Sequence, residues 1–220
     1  MARLKIGVLI SGRGSNLQAL IDAAADPSYP AEIVLVLSNR PDAAGLERAA
    51  RAGIAHRAVP HPSPEAFAAA AEAALRQSGA ELVALAGYMR ILDGGFVAAW
   101  RDRLINIHPS LLPAFPGLHP QRQALAAGVR FSGCTVHFVR AEVDTGPIIA
   151  QAVVPVHADD DEECLSARIL AAEHRLYPMA VRLFAEGRLE VRGDRVVVAG
   201  ATTPTGPLLN PSEALASHGG

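Results

Sequence analysis

The sequence predicts an α/β fold: a Rossmann-like open twisted sheet, mostly parallel in its N-terminal half and mixed in its C-terminal part, with helices on both faces. Three observations predict it. In the N-terminal half, short apolar runs alternate with stretches whose apolar residues recur at helical spacing, the pattern of right-handed βαβ crossovers. Those runs are continuous, as in Ile33-Val34-Leu35-Val36-Leu37, which suits strands covered on both faces. Beyond residue 104 two strand patterns follow one another directly through the turn-rich Arg140 to Pro147, as in an antiparallel pair.

In chain order, Leu4 to Ile10 reads as a buried strand, and Leu17, Leu20, Ile21 and Ala24 mark the helix after it. A strand over Glu32 to Leu37 precedes an Ala-rich helix near Ala43 to Ala52. A short strand near His56 to Val59, a helix near Pro64 to Gln77 and a strand at Leu82 to Ala86 complete the first half. Leu104 to His108 is the next strand. It ends there because Pro109 has no N–H for a ladder and pushes His108 towards an extended backbone. Four prolines between Pro109 and Pro120 enforce a loop, and Gln121 to Ala127 fits a short helix. Strands follow at Ser132 to Val139 and Ile148 to Val156. Leu165, Ile169, Ala172, Leu176, Met179 and Leu183 then form an apolar stripe on a long helix, which Pro178 should kink. Leu189 to Val191 and Arg195 to Val198 read as a hairpin, with Gly193 able to take a positive φ in its turn. The length suits a single domain over residues 1–200, with a loosely ordered tail over 201–220, where Thr, Pro, Gly, Ser and Asn dominate.

Half of the 220 residues are apolar, 19% are charged and the formal net charge is -2, so no bulk electrostatic case exists for nucleic-acid binding. The apolar runs are too short to span a bilayer, and the start does not resemble a signal peptide. Small-molecule partners and a cytoplasmic location are the expectation, with the chain a monomer or a homodimer. Cys134 and Cys164 stand alone and read as small buried thiols. His56, His61, His119, His137, His157, His174 and His218 show no ligand-like pairing, so no metal is expected.

Three groups of residues are suited to chemistry. Ser11-Gly12-Arg13-Gly14-Ser15-Asn16 lies between a strand and a helix, where glycines allow close approach and free N–H groups favour an anion such as phosphate. It is neither a dinucleotide fingerprint nor a P-loop, and it also fits a plain tight turn with Ser15 or Asn16 capping the helix. Asn106 and His108, two residues apart on one strand face, lie roughly 6 to 7 Å apart along it. An imidazole there can move a proton and an amide can stabilise an oxyanion, although both could equally bond to the adjoining loop. Asp144, in Val143-Asp144-Thr145-Gly146-Pro147, would stabilise a protonated His108 if close to it; alone it reads as an Asx turn.

Taken together, Ser11 to Gln18, Leu85-Ala86-Gly87-Tyr88-Met89-Arg90-Ile91-Leu92, Asn106 to Pro113 and Asp144-Thr145-Gly146-Pro147 resemble the phosphoribosylglycinamide formyltransferase family, folate-dependent enzymes of purine synthesis. The resemblance runs from about Lys5 to Val191. It implies that Gly14, Ser15, Asn16, Leu17 and Gln18 hold the phosphate of glycinamide ribonucleotide, with Glu173 on its ribose or glycinamide part. It implies further that Met89, Arg90, Ile91 and Leu92, with Arg140, Ala141, Glu142 and Val143, line the pterin pocket of the co-substrate 10-formyltetrahydrofolate. Asn106, His108 and Asp144 would be catalytic, with no metal required. Pro64, Ala114 and Gln121 depart from residues seen in some similar chains, which touches peripheral contacts and not the trio. The nearest rival is a formyltetrahydrofolate hydrolase, and a tRNA-directed formyltransferase would need a basic C-terminal extension.

Overall fold

The computed structural model describes residues 2–60 and 63–211, so His61 and His218 lie outside the described residues. Its elements are β1 (Leu4–Ile10), α1 (Ser15–Ala25), β2 (Ala31–Ser38), α2 (Ala44–Arg51), β3 (His56–Ala58), α3 (Pro64–Gln77), β4 (Leu82–Leu85) and α4 (Gly94–Ala99). They continue with β5 (Leu104–His108), α5 (Pro120–Ala126), β6 (Phe131–Phe138), β7 (Ile148–Pro155), α6 (Glu162–Ala185) and the pair β8 (Leu189–Arg192) and β9 (Arg195–Val198). Among the described residues, seven strands form one sheet in the order β3-β2-β1-β4-β5-β6-β7. β1 to β5 pair in parallel, whereas β5 with β6 and β6 with β7 are antiparallel.

The two-sided burial expected of the central strands is present. Ile6, Val8 and Ile10 of β1 pack with Leu17 and Leu20 of α1 and with Leu165, Ile169 and Tyr177 of α6. Leu9, on the opposite face, packs with Phe67, Ala71 and Leu75 of α3 and with Phe96 and Trp100 at α4. Chain order reverses between β1 and β4, which leaves a crevice at their carboxyl ends, the place where open α/β sheets bind ligands.

Several local expectations are corrected. α4 was not anticipated, because its Gly94-Gly95 start carries little helical signal; Asp93 caps it by accepting from the Gly95 and Phe96 N–H groups. The N-cap of α1 is Gly14, in the left-handed region and without a side-chain cap bond, and not Ser15 or Asn16. On α6 the buried face holds Leu165, Ile169, Glu173, Leu176, Tyr177, Ala180 and Val181, while Met179 is 44% exposed. A strict four-three stripe drifts by about 20° per heptad on a straight helix, so by Met179 it has rotated off the core and Tyr177 and Ala180 have replaced it. α6 runs from Glu162 to Ala185 with Pro178 inside it. Cys134 is buried, but Cys164 is exposed, because it sits in the first turn of α6, beside the Asp161 cap. Residues 201–211 have no regular structure, yet the Asn210 side-chain amide donates to the Arg130 carbonyl at 2.6 Å and the Val156 carbonyl at 3.1 Å.

Candidate active site

The crevice at the carboxyl ends of β1, β4 and β5 opens into a cavity of about 520 Å³. Each wall traces to a local feature of the chain. The turn after β1 is held against α2, where the Gly45 N–H donates to the Gly12 carbonyl at 3.0 Å. Gly14 has φ 70°, and a Cβ there would meet Gly45 Cα at 2.7 Å, so a larger residue is excluded by conformation and by space alike. The Ser11 hydroxyl donates to Asn39 Oδ1 at 2.6 Å and accepts from the Met89 N–H at 2.8 Å, joining this turn to the segment after β4.

At the tip of β5, Asn106 and His108 both line the cavity, and so does Asp144 from the loop between β6 and β7. His108 Nε2 lies 3.0 Å from the Phe115 carbonyl and therefore carries a hydrogen. Its Nδ1 lies 3.4 Å from Asp144 Oδ2, so a hydrogen there would also face an acceptor. Asp144 Oδ2 accepts from the Gly117 N–H at 2.8 Å. The Asp144 backbone is left-handed, with φ 56°. The loop can take this path because Gly146 has no side chain: a Cβ there would lie 1.6 Å from the Phe138 carbonyl oxygen.

Beside them stands His137, buried on β6 and paired in register with Asn106. Burial pushes its pKa down, against opposing pulls from its bond to Phe138 and from Asp144. A neutral ring with its hydrogen on Nδ1 donates to the Phe138 carbonyl at 3.0 Å, and Nε2 is then free to accept from Asn106 Nδ2 at 3.3 Å. The bond fixes which way the Asn106 carboxamide points and leaves its second N–H for the cavity.

Glu173 and Asn16 also line the cavity. Asn16 Nδ2 donates to Glu173 Oε2 at 2.9 Å, and Asn16 Oδ1 is buried without a partner. Burial raises the Glu173 carboxyl to about 7, although the Asn16 bond opposes this. Met89 and Ile91 are each 72% exposed at the rim, and large apolar side chains open to water at a cavity mouth suit a flat apolar ligand. Among the described residues, no group of three His, Cys, Asp or Glu side chains is placed to hold a metal ion. No helix among them is long and apolar enough to cross a membrane.

The model of the formyl transferase family matches residues 4–181. The chain belongs to that family. Among curated proteins, this formyl transferase is 46% identical over 204 residues to phosphoribosylglycinamide formyltransferase of Escherichia coli, covering 91% of its own length and 96% of the relative's. It is 55% identical over 192 residues to the trifunctional purine biosynthetic protein adenosine-3 of Drosophila pseudoobscura pseudoobscura, covering 85% of its own length and 14% of that much longer protein. Among solved structures it is similar to glycinamide ribonucleotide transformylase 1 of Symbiobacterium toebii, with a TM-score of 0.87, 55% identity and coverage of 89% of this chain and 94% of that one.

Of the residues singled out in the sequence of this formyl transferase, Asn16, Met89 to Leu92, Asn106, His108, Arg140 to Asp144 and Glu173 line the one cavity. Four others do not. The Gly14 turn is packed on α2, and the Leu17 side chain is fully buried in the core, which leaves Leu17 only its backbone N–H to offer. Ser15 and Gln18 face a separate groove between α1 and α6, beside His174 and Arg175; Gln18 there bonds to Arg48 and Asp22. His137 is the cavity-lining side chain beside Asn106 that sequence reasoning passed over. Its signal was the pairing of two adjacent antiparallel strands, which places it opposite Asn106 once the register is known.

Proposed function

We propose that this formyl transferase moves the formyl group of 10-formyltetrahydrofolate onto the primary amine of glycinamide ribonucleotide. The observation that carries the reading is the convergence of Asn106, His108 and Asp144 on a cavity that Glu173 and Asn16 also line, together with Met89 to Leu92 and Arg140 to Val143. The activity of the Escherichia coli relative, nearly all of whose length is matched, supports the same substrates. The unprotonated amine attacks the formyl carbon, and its lone pair forms the new C–N bond. The carbonyl electrons move to oxygen, where the free N–H of Asn106 and protonated His108 stabilise the charge. On collapse the bond to folate N10 breaks. The proton lost by the amine reaches N10 through His108 and Asp144, directly or over a water, giving the formamide and tetrahydrofolate. Glu173 and Asn16 offer acceptor oxygens to the ribose hydroxyls or glycinamide N–H groups. The first turn of α1 offers N–H groups to the phosphate, and the apolar rim covers the pterin. The reading carries with it small-molecule partners and a cytoplasmic location.

The test is a product assay with both substrates. Formation of formylglycinamide ribonucleotide and tetrahydrofolate in equal amounts is the expected result. Release of formate at the same rate with no ribonucleotide present would overturn the transferase reading in favour of the hydrolase.

A further inference from the structure

We propose that Asp102 is a positioning residue for the folate half of the site, acting through Arg140; the proposal rests on the folate reading above. Arg140 and Asp144 bound the most exposed part of the loop between β6 and β7, where Ala141, Glu142 and Val143 are all exposed. A short loop with so little of its own to bury takes its shape from its end anchors. One anchor is the Gly117 N–H on Asp144. The other is Arg140, whose Nη2 donates to Asp102 Oδ1 at 2.6 Å while Nη1 donates to the Val139 carbonyl at 3.1 Å. Asp102 lies between α4 and β5, outside every motif considered above, and its side chain is less buried than that of Arg140.

Two features mark the pair as more than an incidental surface contact. Asp102 has φ 57°, a left-handed conformation that non-glycine residues adopt at a cost and that Asp and Asn tolerate best. The Arg140 guanidinium is largely shielded and lies on the cavity wall. Held by Asp102, it stays part of that wall and fixes where the loop leaves β6. Released, it gives the chain between Val139 and Asp144 freedom that folate would have to remove on binding.

Asp102→Asn removes the charge while keeping the side-chain shape and the tolerance for left-handed backbone. The expected result is a rise in the KM for folate of roughly three- to tenfold, with kcat and the KM for the ribonucleotide changed by less than about twofold. The effect should not add to that of Arg140→Gln, the double variant being no worse than Arg140→Gln alone. High salt should bring the folate KM of the unaltered protein towards that of Asp102→Asn. An unchanged folate KM, an equal change in the ribonucleotide KM, or full additivity would overturn the proposal. If Asp102→Asn does not fold, Arg140→Gln must by itself raise the folate KM, and an unchanged value there would overturn the proposal equally. If the unaltered protein makes no formyl product, the functional reading falls separately. Amide hydrogen exchange over residues 140–144 then decides the positioning role: faster exchange in Asp102→Asn supports it and unchanged exchange overturns it.

Discussion

Asn106 and His137 face each other across β5 and β6, with Asn106 Nδ2 3.3 Å from His137 Nε2. In the proposed mechanism, the neutral histidine thereby orients the amide that would meet the developing oxyanion. His137→Phe keeps the bulk and removes the acceptor. We expect kcat to fall about tenfold, the cost of one orienting hydrogen bond, with substrate affinities little changed. Steady-state kinetics would check this, and a loss confined to KM would contradict it.

In the proposed mechanism His108 and Asp144 stand closer to the chemistry. His108→Ala and Asp144→Asn should each lower turnover by about 10²- to 10⁴-fold, the usual contribution of general acid-base catalysis. Calorimetric binding of the ribonucleotide should persist in both. Near-normal turnover in either variant would remove that residue from the mechanism.

Glu173 makes stability depend on pH. Its folded pKa, about 7, lies above that of the unfolded chain, so its favourable contribution is fully present below the unfolded value near 4.5 and is lost as pH rises through 7. Glu173→Gln should therefore gain stability over the unaltered protein as pH increases across that window, reaching at most about 3 kcal/mol by linkage above it. Urea unfolding at pH 5 and pH 8 tests the sign. An equal difference at the two pH values would show that Glu173 is not the source.

Gly146→Ala tests the close approach of the loop to β6. With a Cβ placed 1.6 Å from the Phe138 carbonyl oxygen, the loop must shift, at a cost of about 1 to 3 kcal/mol. Asp144 should move with it. A fall in thermal midpoint accompanied by loss of turnover is expected, and a variant that keeps both would show that the loop path is adaptable.

Much of this was legible in the chain because period and punctuation carry it. Ile33 to Leu37 announced a strand buried on two sides, and Pro109 announced where β5 stops and so where Asn106 and His108 would emerge. What the sequence withheld is the product of packing between distant segments. Whether Asp144 lies beside His108 depends on the antiparallel return of β6 and β7, and no spacing encodes that register. The assignment of Met179 to the core failed because a helix turns its faces by an angle that a stripe of letters records only approximately. Arg140 and Asp102, 38 residues apart, could not have been matched before the fold was known.

Tyr177 is fully buried, and its hydroxyl donates to the Leu85 carbonyl at 3.0 Å and the Ile105 carbonyl at 3.3 Å. Leu85 ends β4 and Ile105 immediately precedes Asn106, while Glu173 lies one helical turn before Tyr177 on α6. The gap between Glu173 and Asn106 is thus gauged by a single phenol bolted across two neighbouring strands. On the proposed reading, the ribonucleotide that reaches from Glu173 to Asn106 is held against a length set by core packing rather than by the site itself.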